Sequence, residues 1–389
     1  MFKFYGKVKM NKKKIMLVFG TRPEAIKMAP LIHDIKAKRD QFELKVCATS
    51  QHRKMLDQVL DIFNIKPDID LNLMKKNQNL SNLTSLIIDK MQTVFTKHQP
   101  EIVLVHGDTT TTLATSMAAF YLSIPVGHVE AGLRTYNLNA PFPEEFNRQI
   151  TGKITKFHFA PTLLCKKNLL KEGIKKSSIS VTGNTVIDAL YWILKRIDND
   201  KEHQKKLDDI LDKILSFNWK NKNFVLVTAH RRENFGDGFL KICSALKELA
   251  AKYPKIYFVY PVHLNPNVKK PVNEILKEIN NIHLIKPLEY ELFIYLLKHS
   301  YIVLTDSGGI QEEAPSIGKP VLLMRETTER PEAVEAGTVE IVGSNKKKIV
   351  KGVSRLLNNK NHYQKMSRAH NPYGDGLACK RIVDVLRKI

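Results

Sequence analysis

The sequence predicts an α/β protein of two domains, each a parallel sheet wrapped by helices. A chain of 389 residues exceeds what one hydrophobic core usually organises. Short β-branched runs alternate with amphipathic helical stretches almost from end to end, as in repeated βα units. The series also restarts midway, behind a long charged helical stretch.

The first series of strands reads IMLVFG (15–20), LKVCATS (44–50), IVLVHG (102–107), VGHVEA (126–131), FHFAP (157–161) and SISVTG (178–183). Helical patterns such as PEAIKMAPLIHDIKA (23–37) and TTTLATSMAAFYL (110–122) lie between them. The connector TVIDALYWILKRIDNDKEHQKKLDDILDKI (185–214) reads as helical, and FNWKNKN (217–223) as surface elaboration. The second series is NFVLVTAH (223–230), IYFVYPV (256–262), IHLIKPL (282–288), YIVLTDS (301–307), PVLLM (320–324) and VEIVG (339–343). A last helix, CKRIVDVLRKI (379–389), follows the turn NPYGDG and is expected to pack away from the second domain. The boundary falls between Gly183 and Lys195, which gives a basic extension over 1–13 and domains over 14–187 and 188–369, with 370–389 apart from the second.

Composition narrows the function. Hydrophobic residues at 43% and charged residues at 26% describe a folded globular chain. A net charge of +23 invites a polyanion partner. The lysines are nevertheless spread over the length, with no basic stretch interleaved with stacking aromatics, so solvated lysines that attract anionic metabolites are expected, and no nucleic acid. Cys47, Cys165, Cys243 and Cys379 are too scattered for a zinc site or a redox pair and read as free thiols. The apolar run 15–19 is too short for a signal-peptide core, and no stretch of about 18 apolar residues occurs, so a cytoplasmic protein without a membrane span is expected.

In doubly wound sheets ligands sit outside the carboxyl ends of the strands, so polar motifs there are site candidates. FGTRPEAIK ends the first strand; Gly20 permits a turn, Thr21 can cap, and Arg22 and Lys27 beside a helix N-terminus suit an anion, though an ordinary capped helix with two solvated cations reads equally well. Gln51 follows the second strand at what is otherwise a plain helix start. HGDTTTT offers Asp108, a candidate carboxylate or a helix cap. GHVEAGLRT sets Glu130 in a short apolar strand, where an acidic residue is rarely buried without a reason. PEEFNRQITG adds Glu144 and Glu145 in a helix's first turn, where they would also serve the dipole. In the second domain His230, Arg231 and His263 leave successive strands. TDSGGIQEE then provides a small-residue turn, Ser307, Gly308 and Gly309, whose amides can approach a diphosphate, and Glu313, which can accept from ribose hydroxyls. No G-x-G-x-x-G, P-loop or H-E-x-x-H is present, so no nicotinamide, other cofactor or metal is indicated.

Taken together, FGTRPEAIK, HGDTTTT, GHVEAGLRT, PEEFNRQITG, TGNTVIDAL, TAHRRENFG, YPVHLNPNV, TDSGGIQEEAPS, TTERPEA and SRAHNPYGDG resemble the non-hydrolysing bacterial UDP-N-acetylglucosamine 2-epimerases, in order, from about Lys14 to Arg381. The resemblance implies two Rossmann-like domains facing a cleft, the GT-B type of glycosyltransferase fold, with the C-terminal helix crossing back to the first domain. It implies interconversion of UDP-N-acetylglucosamine and UDP-N-acetylmannosamine by elimination of UDP and re-addition, without a cofactor, supplying cell-surface polysaccharide. Asp108, Glu130 and Glu144 would be the catalytic carboxylates, with His230 near the diphosphate; Arg22, Lys27, Ser307, Gly308, Gly309 and Glu313 would hold UDP. Gln51, Arg231 and His263 fall in motifs tied to an allosteric substrate site, and a homodimer is implied. The alternatives are a hydrolysing 2-epimerase that releases free N-acetylmannosamine, an epimerase of a UDP-diacetamido-uronic acid, a glycosyltransferase, and a basic binding protein that would leave the converging carboxylates unexplained.

Overall fold

A computed structural model describes residues 12–50, 53–73 and 78–389. The chain forms two compact units, one taking the sequence up to Ala189 together with Gly376–Ile389, the other Leu190–Asp375. The first runs β1 (Lys13–Phe19), α1 (Arg22–Lys36), β2 (Phe42–Ala48), α2 (Arg53–Ile62), β3 (Ile69–Asp70), α3 (Leu80–His98) and β4 (Ile102–His106). It continues through α4 (Thr110–Tyr121), β5 (Val126–Val129), α5 (Glu144–Ile154), β6 (Phe157–Ala160), α6 (Leu163–Lys171), β7 (Ile179–Val181) and α7 (Thr185–Asn199), which passes into the second unit. Its strands form one sheet in the order β3-β2-β1-β4-β5-β6-β7, all paired in parallel. Met16, Val18, Val103 and Val105 of the central strands pack with Ile87, Met91, Ala114 and Ala118 of the covering helices, so both strand and helix patterns bury their apolar residues in one core.

The second unit follows with α8 (Lys201–Ile214), β8 (Phe224–Thr228), α9 (Asp237–Lys252), β9 (Tyr257–Pro261), α10 (Pro266–Leu276), β10 (Ile282–Ile285) and α11 (Tyr290–His299). Then come β11 (Ile302–Thr305), α12 (Ile310–Ser316), β12 (Val321–Leu323), α13 (Pro331–Glu335), β13 (Val339–Ile341), α14 (Lys346–Asn358) and α15 (Lys360–Ser367). The sheet order is β10-β9-β8-β11-β12-β13, again parallel. Both sheets thus change direction of growth beside their first strand, at β1/β4 and at β8/β11, which are the switch points where open α/β sheets bind ligands.

The final helix, α16 (Ala378–Leu386), packs on α1 of the first unit. Ile382, Val383 and Leu386 are buried. Asp188 of α7 accepts from the amides of Ala378 and Cys379 at 3.2 and 2.9 Å, and Lys13 Nζ donates to the Leu386 carbonyl at 2.9 Å. Residues 370–375, grouped with this helix in the sequence reading, stay with the second unit. Asn371 Nδ2 holds them there by donating to the Glu312 carbonyl at 2.8 Å and to Ser316 Oγ at 2.5 Å.

Several boundaries depart from the sequence reading. Strands end one or more residues early, in most cases because Gly and polar residues at their carboxyl ends lead into loops. The two-residue β3 carries no legible signal. The long connector breaks into α7 and α8 at Asp200, whose carboxylate caps α8 by accepting from His203 N at 2.9 Å. FNWKNKN is not all surface: Trp219 is buried, its Nε1 donating to Asp212 at 2.7 Å, and Phe217 stacks on Tyr257. Of the extension over 1–13, residues 1–11 lie outside the described residues, and Lys13 already belongs to β1.

Candidate active site

In the first unit the turn after β1 is closed by a capping box. Thr21 is the N-cap of α1, and Glu24 reaches back to accept from the amides of Gly20 and Thr21 at 3.1 and 2.8 Å. Its other oxygen accepts from Thr109 Oγ1 at 2.7 Å, tying this turn to the one after β4. The Gly20 and Thr21 amides are therefore occupied by the protein's own carboxylate. That narrows the sequence expectation of a helix N-terminus open to an anion, since two of its amides are taken; Arg22, at the first helical position and half-buried, and Lys27, one turn further, add side-chain charge beside it.

Lys27 forms an ion pair with Glu130. β5 stops at Val129, so Glu130 is not within the strand; it stands just past it with φ 64°, a left-handed conformation that costs a non-glycine residue on the order of 1–3 kcal/mol. Asn184 Nδ2 donates to Glu130 Oε2 at 2.8 Å, and His106 Nε2 lies 3.6 Å from the same oxygen. Burial by itself would raise this carboxyl, but the Lys27 ammonium and His106 outweigh it and hold it well below the usual carboxylate range.

Asp108, two residues past β4, behaves oppositely. Although 28% of its side-chain surface stays accessible, the crowding of protein around it makes desolvation the leading effect. Assisted by the Glu130 and Glu144 carboxylates, desolvation prevails over the pull of Arg148 and Lys27 and pushes Asp108 up to about 6. Arg148 Nη1 lies 3.3 Å from Asp108 Oδ2, and Asn147 Nδ2 donates to the Asp108 carbonyl at 2.9 Å, so α5 holds this residue at backbone and side chain. Glu144 opens α5, its Oε2 buried without a hydrogen-bond partner among the described residues. Its neighbour Glu145 is structural: wholly buried, it accepts from the amides of Thr135 and Tyr136, both at 2.9 Å, and pairs with Arg148. The structure thus gathers Lys27, Asp108, Glu130 and Glu144 into one interacting set.

The second unit gathers its candidates around a residue that the sequence reading passed over. Asp306, fully buried just after β11, accepts from the amides of His230 and Arg231 at 2.9 and 2.8 Å and from Asn234 Nδ2 at 3.1 Å. The His230 ring stacks on His263 with centroids 5.5 Å apart. Burial lowers the His230 pKa, with Arg231 and His263 adding to the effect and Asp306 opposing it. Arg231 and His263 are exposed. In the Ser307–Gly309 turn the Ser307 amide is taken by Thr305 Oγ1 at 2.9 Å, so not every amide expected to face a diphosphate is available. At Gly308 the Arg330 guanidinium closes over the backbone, and a Cβ there would stand 2.8 Å from Nη1 and displace it. Glu313 lies beside the turn and accepts from Tyr290 Oη at 2.9 Å.

Gln51 lies outside the described residues. Among the described residues no group of His, Cys, Asp or Glu is arranged to hold a metal ion, and no helix is long and apolar enough to cross a membrane. His106, Arg148, Asn184 and Asp306 were missed as single polar residues. The spacing of Arg148, one helical turn from Glu144, and the position of Asn184 directly before a predicted helix were the available signals.

The profile of the family described as UDP-N-acetylglucosamine 2-epimerase matches residues 34–387. The Campylobacter jejuni UDP-N-acetylglucosamine 2-epimerase is 57% identical over 97% of this chain and 98% of its own, and that of Escherichia coli K12 is 56% identical over 96% and 98%. Among solved structures, the Neisseria meningitidis UDP-GlcNAc 2-epimerase bound to UDP-GlcNAc superposes with a TM-score of 0.89 at 52% identity, covering 97% of this chain and all of that one, the coverage being 100%. The Methanocaldococcus jannaschii enzyme in complex with UDP-GlcNAc and UDP gives 0.80 at 34%, with the same coverage of 97% and 100%. The two parallel-sheet units are those of the GT-B fold in these structures.

Proposed function

The chain belongs to the UDP-N-acetylglucosamine 2-epimerase family, and on that premise we propose that it interconverts UDP-N-acetylglucosamine and UDP-N-acetylmannosamine without hydrolysis, using Asp108 and Glu130 as the proton-transfer pair. The single observation behind the pairing is that two neighbouring carboxylates are driven in opposite directions, Glu130 well below its usual range and Asp108 up to about 6.

The sugar's C2 hydrogen is not acidic, because no carbonyl adjoins C2 within the ring. Departure of UDP from C1 creates the electron demand. The C1–O electrons leave with UDP, Glu130 takes the C2 proton, and a C1=C2 double bond forms, giving a 2-acetamidoglucal. Inversion then requires a proton from the other face, supplied by Asp108, while a UDP oxygen re-adds to C1. Glu130 ends protonated and Asp108 ionised, the state required for the reverse reaction. From the resemblance, Arg22, His230, the Ser307–Gly309 turn and Glu313 are assigned to UDP, whose developing charge cations and amides stabilise. The Neisseria meningitidis relative is bound to UDP-GlcNAc and the Methanocaldococcus jannaschii relative to UDP-GlcNAc and UDP, which supports a UDP-sugar as the ligand. From the resemblance, the proposal extends to activation by a second substrate molecule at Arg231 and His263 and to a homodimer, read out by a sigmoidal rate curve and by sedimentation velocity.

Turnover of UDP-N-acetylglucosamine in deuterated water, followed by NMR, tests the reaction. The expected product is the mannosamine epimer with deuterium at C2 and UDP attached. Free N-acetylmannosamine with UDP released would point to hydrolysis, and retention of the C2 hydrogen would sink the elimination step.

A further inference from the structure

His128 lies in β5, two residues before Glu130, and its side chain is fully buried. Its Nε2 is 2.6 Å from the carbonyl oxygen of Gly107. A carbonyl only accepts, so Nε2 carries the proton, and burial holds the ring neutral by lowering its pKa to about 3. The other ring nitrogen, Nδ1, has no hydrogen-bond partner among the described residues. The ring's directed contact is thus with one peptide, the one joining Gly107 to Asp108. Gly107 is left-handed, φ 67°, and a Cβ on it would stand 3.7 Å from Glu130 Oε1. This peptide therefore leads into Asp108 from a residue that lies beside the Glu130 carboxylate, and the residue that grips it sits on the strand leading to Glu130.

We propose that His128 is a positioning residue which fixes Asp108 relative to Glu130 by hydrogen-bonding the Gly107 carbonyl. The inference rests on the proposed proton-transfer roles of those two carboxylates. Parallel strands β4 and β5 set the register, Val105 opposite His128 and His106 opposite Val129, and a last backbone bond from the Gly107 amide to the Val129 carbonyl at 2.9 Å closes the ladder; beyond it the Gly107 carbonyl, the Asp108 carbonyl and the Asp108 carboxylate are held by side chains. Arg148 and Asn147 hold this segment from α5, and His128 holds it from the sheet. Proton transfer between opposite faces of one ring tolerates little slack: a displacement of about 1 Å costs roughly a hundredfold in rate.

Two substitutions of equal length isolate the donor. His128→Gln retains an N–H near the Nε2 position, whereas His128→Met fills the same buried space without one. Both are assayed for kcat and KM with UDP-N-acetylglucosamine beside Asp108→Asn. We expect the Met variant to lose at least about tenfold in kcat with KM within roughly threefold, and the Gln variant to stay within roughly threefold of the unchanged enzyme in both. Equal kcat in the two variants, or a loss carried by KM, overturns the positioning role. Should the Met variant not fold, His128→Asn, whose amide is too short to reach Gly107, replaces it under the same criteria. Normal turnover by Asp108→Asn would remove the underlying reading and this inference with it; an inactive Asp108→Asn beside a fully active His128→Met would remove the inference alone.

Discussion

In each unit an aspartate follows the strand paired to the unit's first strand: Asp108 comes two residues after β4, Asp306 one residue after β11. Topology makes them counterparts, but their surroundings set them apart. Asp306 is saturated by N–H donors from the neighbouring loop and has become part of the scaffold that shapes the His230 turn. Asp108 meets two other carboxylates in a desolvated setting, and the guanidinium at 3.3 Å and the Lys27 ammonium do not offset them, so it keeps its proton up to about pH 6, within the range in which a carboxyl can give one up. What distinguishes a structural acid from a chemical one is the supply of donors, not its place in the sheet.

The comparison predicts a hierarchy of losses. Asp108→Asn and Glu130→Gln should each lower kcat by about a hundredfold or more while circular dichroism stays unchanged; near-normal turnover in either would detach that residue from proton transfer. The pH profile is the next test. In the free enzyme the competent form has Asp108 protonated and Glu130 ionised, so kcat/KM should fall as pH rises through about 6, approaching tenfold per unit. A flat profile from about pH 5 to 8 would break the pairing. Asp306→Asn should act through binding and stability: the loop donors lose a charged acceptor, costing about 1–3 kcal/mol in thermal unfolding, with the UDP dissociation constant up by roughly tenfold and kcat within a few-fold. A collapse of kcat with UDP affinity intact would make Asp306 a chemical residue after all. Ser307→Ala should do least, weakening UDP binding in calorimetry by about 1 kcal/mol, and unchanged affinity would remove that side chain from the diphosphate site.

The alternation of short apolar runs made the two parallel sheets legible, because strands buried on both faces must read that way. The carboxylates could be named because acids at strand ends are conspicuous. The division of labour proposed for them could not be read, since it rests on Lys27 reaching Glu130 and on Arg148 reaching Asp108, contacts between residues distant in sequence. The left-handed backbone of Glu130 carries no letter code either. Asp306 was hidden for a plainer reason: its partners are mostly backbone amides, which every residue possesses.

The packing of α16 on α1, with its first amides fixed by Asp188, has a consequence for synthesis. The first unit is discontinuous, and its last piece is made only after Leu190–Asp375, so the nascent chain holds the complete second unit before the first can close. A chain stopped before Gly376 would keep every residue of Leu190–Asp375 and still strip the first unit of a helix it buries.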